Sequence, residues 1–348
     1  MSRFVIDHEY LVRVLVDLLN TPSPTGDTEW AVNFVQQELE ELGMASSKTT
    51  KGALVAVADG LGYDRPRAVS AHVDTLGLMV AEIKSNGRLR CTALNGIMWP
   101  TVESEGVTIR TRDDRPIRGS IVFANGAAHV NKDARTALRD DKNLEVRIDE
   151  RTSSAEETRV LGIQVGDFVH LDTRVEHSRS GYVRSRFLDD KAAVACILAA
   201  LNSLRDHGIT PAQQTHVLIS NFEEVGHGGM DSLPDNLSEY VCVDMAALGE
   251  GLQGDEHHCT LCVKDSNGPY SRKLSGKLID LADRAGIDLK LDVYPHYGSD
   301  GGAYWFSGGR AEVALIGPGV DTSHGYERTH VDALNDTALL LAEYLASD

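Results

Sequence analysis

Basic charge is scarce in this 348-residue chain: 34 Lys and Arg stand against 52 Asp and Glu, a formal net charge of -18. Phosphate backbones and anionic lipid repel such a surface, which argues against nucleic acid or membrane as a partner. Long apolar runs are also missing. The longest, AAVACILAAL at 192–201, falls well short of the ~20 apolar residues that span a bilayer. The opening MSRFVIDHEYLV has no basic stretch followed by an apolar one, so no secretory signal is expected. Cysteines number five, odd and irregularly spaced, which suits free thiols in a reducing compartment; a cytoplasmic protein is expected. Neither a repeat nor a low-complexity segment is present. What is there is an ordinary globular composition, 42% hydrophobic and 25% charged, long enough to predict two domains.

The texture of the chain changes twice. Residues 8–20 and 27–43 read as amphipathic helices separated by the breaker TPSPTGD, and ALVAVAD (53–59) and RAVSAHV (67–73) read as buried strands. From about 79 to 173 the pattern becomes period-2 runs and turns. One hairpin is signalled at Asn86-Gly87 and another through Asp113 to Pro116, with SSAEETRVLGI as a short capped helix. Beyond about residue 184 helix and strand alternate again, from DDKAAVACILAALNSLRDHG through THVLISNF, EYVCVDMA, SRKLSGKLIDLADRAG, LKLDVY and AEVALIG to a final helix from Ala333. The pattern predicts an α/β domain with a β-rich domain inserted in it.

In open α/β sheets, ligands bind beyond the carboxyl ends of the strands. The residues expected there are His72 and Asp74, the pair Glu223-Glu224, Asp244, and a last segment containing His324, Glu327 and His330. The helix after the β-rich block opens with Asp189-Asp190-Lys191. Carboxylates converging on one sheet edge raise each other's pKa values unless a cation neutralises them. Imidazoles mixed with carboxylates suit zinc, cobalt or manganese, and the inventory is enough for two divalent ions. His72 and Asp74 share a strand face, so Asp74 either orients His72 or is itself a ligand. Asp189 can offer one oxygen to each ion, the arrangement that holds paired ions about 3.5–4 Å apart. Adjacent Glu223 and Glu224 are expected to diverge through strand pleating.

Other candidates read as structural. Cys259 and Cys262 have C-x2-C spacing next to His257 and His258, but no second pair follows, so they are taken as strand cysteines. GSDGGAYWFSGG lacks the context of a nucleotide-binding loop and reads as a helix start. Lys191 and Arg186 are candidates for touching substrate, but the solvated surface is the expectation for either.

The ordered set AHVDTLG, RFLDDKAA, NFEEVGHGG, CVDMA and TSHGYERTH resembles the M42 family of metallo-aminopeptidases, the glutamyl and tetrahedral (TET) group of dinuclear zinc exopeptidases. The likeness spans nearly the whole chain. It implies a mixed-sheet α/β/α catalytic domain over 1–75 and 177–348, with a barrel- or PDZ-like dimerisation and assembly domain at 76–176. It implies two divalent metal ions per subunit, zinc first, with cobalt or manganese as alternatives. His72, Asp189, Glu224, Asp244 and His324 are the implied ligands. Asp189 bridges, Glu224 and His324 complete one ion, and Asp244 completes the other beside His72. Asp74 orients His72, and Glu223 is the general base that activates a metal-bridging hydroxide. The implied partners are short peptide substrates and other copies of the chain, from dimer to dodecamer.

Two departures from the family pattern stand out. His227-Gly228 follows EEVG where the family has x-Arg-Gly, and Glu327 lies three rather than four residues after His324, with His330 as a competing imidazole. The HGYERTH form is similar to a subgroup found with osmoprotectant dipeptide synthesis genes. Alternative readings are a metal-dependent amidohydrolase of N-acyl amino acids or capped dipeptides, and a non-catalytic oligomeric binding protein.

Overall fold

The computed structural model describes residues 2–229 and 233–348. The chain forms two compact units, one of Met1–Asp74 with Arg174–Asp348 and one of Thr75–Thr173.

The first unit is built on a ten-stranded mixed sheet. Four neighbouring strands at its centre run parallel: Gln213–Ser220, Gly62–His72, Glu239–Val243 and Glu312–Val320, in that order. In register, Val69 lies between Val217 and Val241. These segments are near-continuous apolar runs because both faces are covered; Ala68, Val69, Val217, Leu218, Val241 and Ala314 are fully buried. Antiparallel strands Leu54–Ala58 and Cys259–Asp265 flank the parallel group. The helix Leu188–Asp206 packs on the Gly62–His72 strand and between helices His8–Leu19 and Val331–Leu345. Its residues 188–204 are all buried, which explains a composition too apolar to be amphipathic. Burial there overturns two expectations. Lys191 is fully buried and donates to the carbonyls of Leu18 (3.0 Å) and Thr21 (2.6 Å), and burial lowers its pKa to about 7. Arg186 is also buried, with its guanidinium on the carbonyl of Gly325 at 3.1 Å. Neither is a solvated surface residue.

Parallel strands bring the ends at His72, Ser220, Val243 and Val320 to one edge of the sheet. Glycine is required in one of them for close approach. A Cβ on Gly317 would lie 1.7 Å from the carbonyl oxygen of Asp244, whose N–H bonds Ile316 O at 3.0 Å. A short sheet of Glu176–His177, Tyr182–Ser185 and Glu327–His330 belongs to the same unit.

The second unit is a closed six-stranded barrel, in the order Gly77–Ile83, Leu89–Leu94, Leu144–Ile148, Pro116–Phe123, Gly106–Arg110 and Phe168–Leu171. Both expected hairpins are present, and the first turns at Gly87 with φ +82°. Ser154 caps the short helix Ala155–Val160 by accepting the N–H of Glu157. Alternating residues such as Leu78, Val80, Val107, Ile109 and Val146 are buried in the unit. Among the described residues no helix is long and apolar enough to cross a membrane.

Candidate metal centre

His72 ends its strand with the imidazole buried. Its Nδ1 lies 2.9 Å from the backbone oxygen of Asp74, a pure acceptor, so that nitrogen carries the hydrogen. Nε2 then faces Asp189 Oδ1 at 3.3 Å and Glu223 Oε2 at 3.7 Å. Burial opposes charge on this ring, but Asp189 and Asp74 outweigh it and raise its pKa well above the usual histidine value. The Asp74 carboxylate, 3.5 Å from Nδ1, is mainly engaged elsewhere. Oδ2 accepts from Thr25 Oγ1 (2.7 Å) and from the N–H of Glu224 (3.3 Å), and Oδ1 accepts from the N–H of Glu223 (3.1 Å).

Those two bonds fix the paired glutamates. Glu223–Val225 is one 3-10 turn closed by Gly226 at φ +80°, so the side chains diverge because the backbone turns. Strand pleating, the expected cause, does not apply. Their neighbourhood is acidic. Burial first, then Asp189 and other acids, raises Glu224 well above the glutamate range, and burial with Asp244 does the same to Glu223. Asp244 is pushed up to about 8 by burial and then by Asp189.

Asp189 and Asp190 have non-helical backbone, and the peptide bond between them is cis. Asp189 directs its oxygens to opposite sides. Oδ1 meets His72, while Oδ2 lies 3.6 Å from His324 Nε2 and accepts from Ser323 Oγ at 3.1 Å. His324 Nε2 is also 3.8 Å from Glu224 Oε2. Two donor groups result: His72 with Asp190 and Asp244, and Asp189 with Glu224 and His324. The seven residues that the resemblance implies, Asp74 and Glu223 among them, meet here. His330 does not; it faces His257 and Asp332 instead.

Three acids besides those seven also stand here, Asp190 as a member of a donor group and Glu327 and Asp300 around it. Asp190 Oδ2 accepts the His72 N–H at 3.3 Å. Glu327 accepts the N–H of Asp189 (3.1 Å) on one oxygen and that of His324 (3.0 Å) on the other, tying two loops together. Asp300 accepts from Ser220 Oγ at 2.6 Å and is raised to about 6, first by burial. Asp190 and Glu327 stood inside motifs already singled out, but nothing in a sequence distinguishes a ligand from the acid behind it. Asp300 lies in a stretch whose pattern signals only a helix start. His227 is exposed and stacks on Phe222 with centroids 5.0 Å apart, while Lys51 Nζ lies 3.0 Å from its Nδ1 and 2.6 Å from its carbonyl.

The chemistry of this donor set fits divalent ions. Asp190 Oδ1 and Glu224 Oε1 are buried without a hydrogen-bond partner. Buried carboxylates in that state are costly unless a cation neutralises them. The imidazoles select borderline metals over magnesium.

The family model for the M42 glutamyl aminopeptidases matches residues 52–340. The chain belongs to that family. The candidate aminopeptidase YhfE of Bacillus subtilis (strain 168) is 43% identical over 336 residues, 97% of each chain. The glutamyl aminopeptidase of Lactococcus lactis subsp. cremoris is 24% identical over 295 residues, covering 82% of this chain and 81% of its own. Among solved structures, a TET aminopeptidase from a marine-sediment Thaumarchaeota archaeon superposes with a TM-score of 0.86 at 17% identity, covering 96% of both chains. The Pyrococcus horikoshii TET1 peptidase gives a TM-score of 0.83 at 22% identity, covering 96% and 99%. At those identities the structural likeness speaks for the fold. Family membership makes this M42 protein a peptidase, a metal-dependent hydrolase of the aminopeptidase type.

Proposed function

We propose that this M42 protein removes N-terminal residues from short peptides at a dinuclear centre. His72 and Asp244 would hold one divalent ion, Glu224 and His324 the other, and Asp189 would bridge them. Zinc is the first expectation, with cobalt or manganese as alternatives. The observation that carries this reading is the split of the Asp189 oxygens, one 3.3 Å from His72 and one 3.6 Å from His324. When bound, such ions polarise a carbonyl and acidify a water.

The protein groups supply the rest. Glu223 takes the proton of the attacking water and returns it to the departing amine. Its Oε2 reaches the centre, 3.7 Å from His72 Nε2. Asp74 positions the base through the Glu223 N–H and supports His72 through its carbonyl. The β-barrel unit is proposed as the assembly domain. The Pyrococcus horikoshii TET1 peptidase can assemble into a tetrahedron or a large octahedral shell, which supports self-association of this chain between dimer and dodecamer. Five buried cysteines without a disulfide support a cytoplasmic location.

The test is metal analysis together with a panel of aminoacyl-p-nitroanilides and N-acylated substrates on one preparation. Two ions per chain with aminoacyl turnover is the expected result. Cleavage confined to N-acylated substrates would make the protein an amidohydrolase and sink the aminopeptidase reading.

A further inference from the structure

The loop before the Cys259–Asp265 strand, the end of the Glu327–His330 strand and the first turn of the Val331–Leu345 helix bring together His257, His330 and Asp332. None of the three belongs to the centre above. His330 is buried, and its Nε2 lies 2.7 Å from the carbonyl oxygen of Ser180. A carbonyl only accepts, so Nε2 carries the hydrogen, and in the neutral ring Nδ1 is the acceptor. That nitrogen takes the N–H of Asp332 at 3.1 Å and lies 3.1 Å from Asp332 Oδ2. His257 Nδ1 approaches the same oxygen at 3.6 Å, and its Nε2 contacts Tyr182 OH at 3.2 Å. The two imidazoles are 4.5 Å apart between centroids, and Tyr182 sets its ring edgewise against both.

Two features of this cluster suit a metal ion. His330 Nδ1 and Asp332 Oδ2 lie 3.1 Å apart, and one donor atom from each of the three residues falls within 4.8 Å of the others. Donors that share a tetrahedral ion at about 2.0–2.2 Å are themselves spaced by about 3.3–3.6 Å; of the two observed separations, 3.6 Å falls in that range and 3.1 Å just below it. The bond from His330 to Ser180 O is also the outer hydrogen bond that metal-binding histidines make, and it fixes the tautomer that coordinates through Nδ1.

We propose that His257, His330 and Asp332 form a separate site for a borderline divalent ion such as zinc. Two imidazoles and one carboxylate leave a position for water. The ion would exchange the weak cap on Asp332 N–H for a coordinate bond. It would also clip the 255–258 loop to the start of the C-terminal helix. The C-x2-C pair beside it takes no part: Cys259 and Cys262 are buried on the strand.

The test uses full-length protein equilibrated with buffered zinc, desalted, and analysed for metal. Wild type should carry one zinc per chain more than either His257→Gln or Asp332→Asn. The same decrement should appear when His257→Gln is added to Asp189→Asn, which lies in the catalytic centre. Aminoacyl turnover of His257→Gln should match wild type, so loss of this site and failure of the catalytic reading are separately visible. If His257→Gln fails to fold, Asp332→Asn alone decides. Equal zinc in wild type and the folded variants would overturn the proposal.

Discussion

Asp74 receives the backbone N–H of Glu223 on its carboxylate at 3.1 Å, so the end of one sheet strand holds the turn that follows the next. The same carboxylate takes the N–H of Glu224 and the hydroxyl of Thr25. An amide in its place turns a donor toward one of those N–H groups. Asp74→Asn should lower kcat and metal affinity by about 10- to 100-fold, the usual effect of losing an outer partner at a metal site. Steady-state kinetics and metal titration check it.

Glu223→Gln keeps the size and the turn of the residue but cannot accept a proton. Metal content should stay at the wild-type value while kcat falls by about 100- to 10,000-fold. A folded variant with near wild-type turnover removes Glu223 from the role of base.

Removal of metal should affect more than the reaction. The acids facing His72 and His324 are buried, and ions bound only by the native state stabilise it by mass action. Chelation should abolish activity and lower the melting temperature together, and zinc or cobalt should restore both. Calorimetry with and without chelator measures this.

Gly317 leaves no room for a methyl group, because its virtual Cβ sits 1.7 Å from Asp244 O. Gly317→Ala must push back the backbone that carries a proposed ligand. The expected cost is about 1–3 kcal/mol, as for an overpacked core, with weaker metal retention than at a remote site of equal cost. Denaturant titration and metal analysis separate the two effects.

Glu239 governs an acid limb far from the centre in sequence. It pairs with buried Arg67 at 3.1 Å and with Lys277 at 3.1 Å, and accepts from Tyr344 OH at 3.1 Å. Burial alone would raise its pKa, but Arg67 and Lys277 outweigh it and hold it below the usual 4.5. The folded state therefore binds this proton less readily than the unfolded one. The stabilisation is complete above about pH 4.5 and is lost as pH falls through the lower folded value. Glu239→Gln strands the Arg67 charge and should cost about 3–5 kcal/mol near neutrality. The gap from wild type should shrink in acid, as thermal melts across pH will show.

The broad plan follows from residue order alone. Fully apolar strands such as THVLIS alternating with helices dictate a covered parallel sheet, and Asn86-Gly87 between period-2 runs dictates a hairpin in a β-rich block. Parallel strands also dictate that His72, Glu223, Glu224 and Asp244 follow carboxyl ends on one edge. Direction and distance came from tertiary packing. Packing brought His324, and not His330, beside Asp189, because His324 lies in a loop tied down by Glu327 while His330 closes a strand against Ser180. It buried Lys191 and Arg186, whose charges meet backbone carbonyls contributed by distant segments. It also separated His257 from the cysteines beside it and turned it toward Asp332. Local pattern fixes which face a residue shares with its neighbours along the chain. Contacts across 70 or more residues, such as His257 with His330, arise only when separate elements pack, and one chain's residue order does not encode that spacing locally.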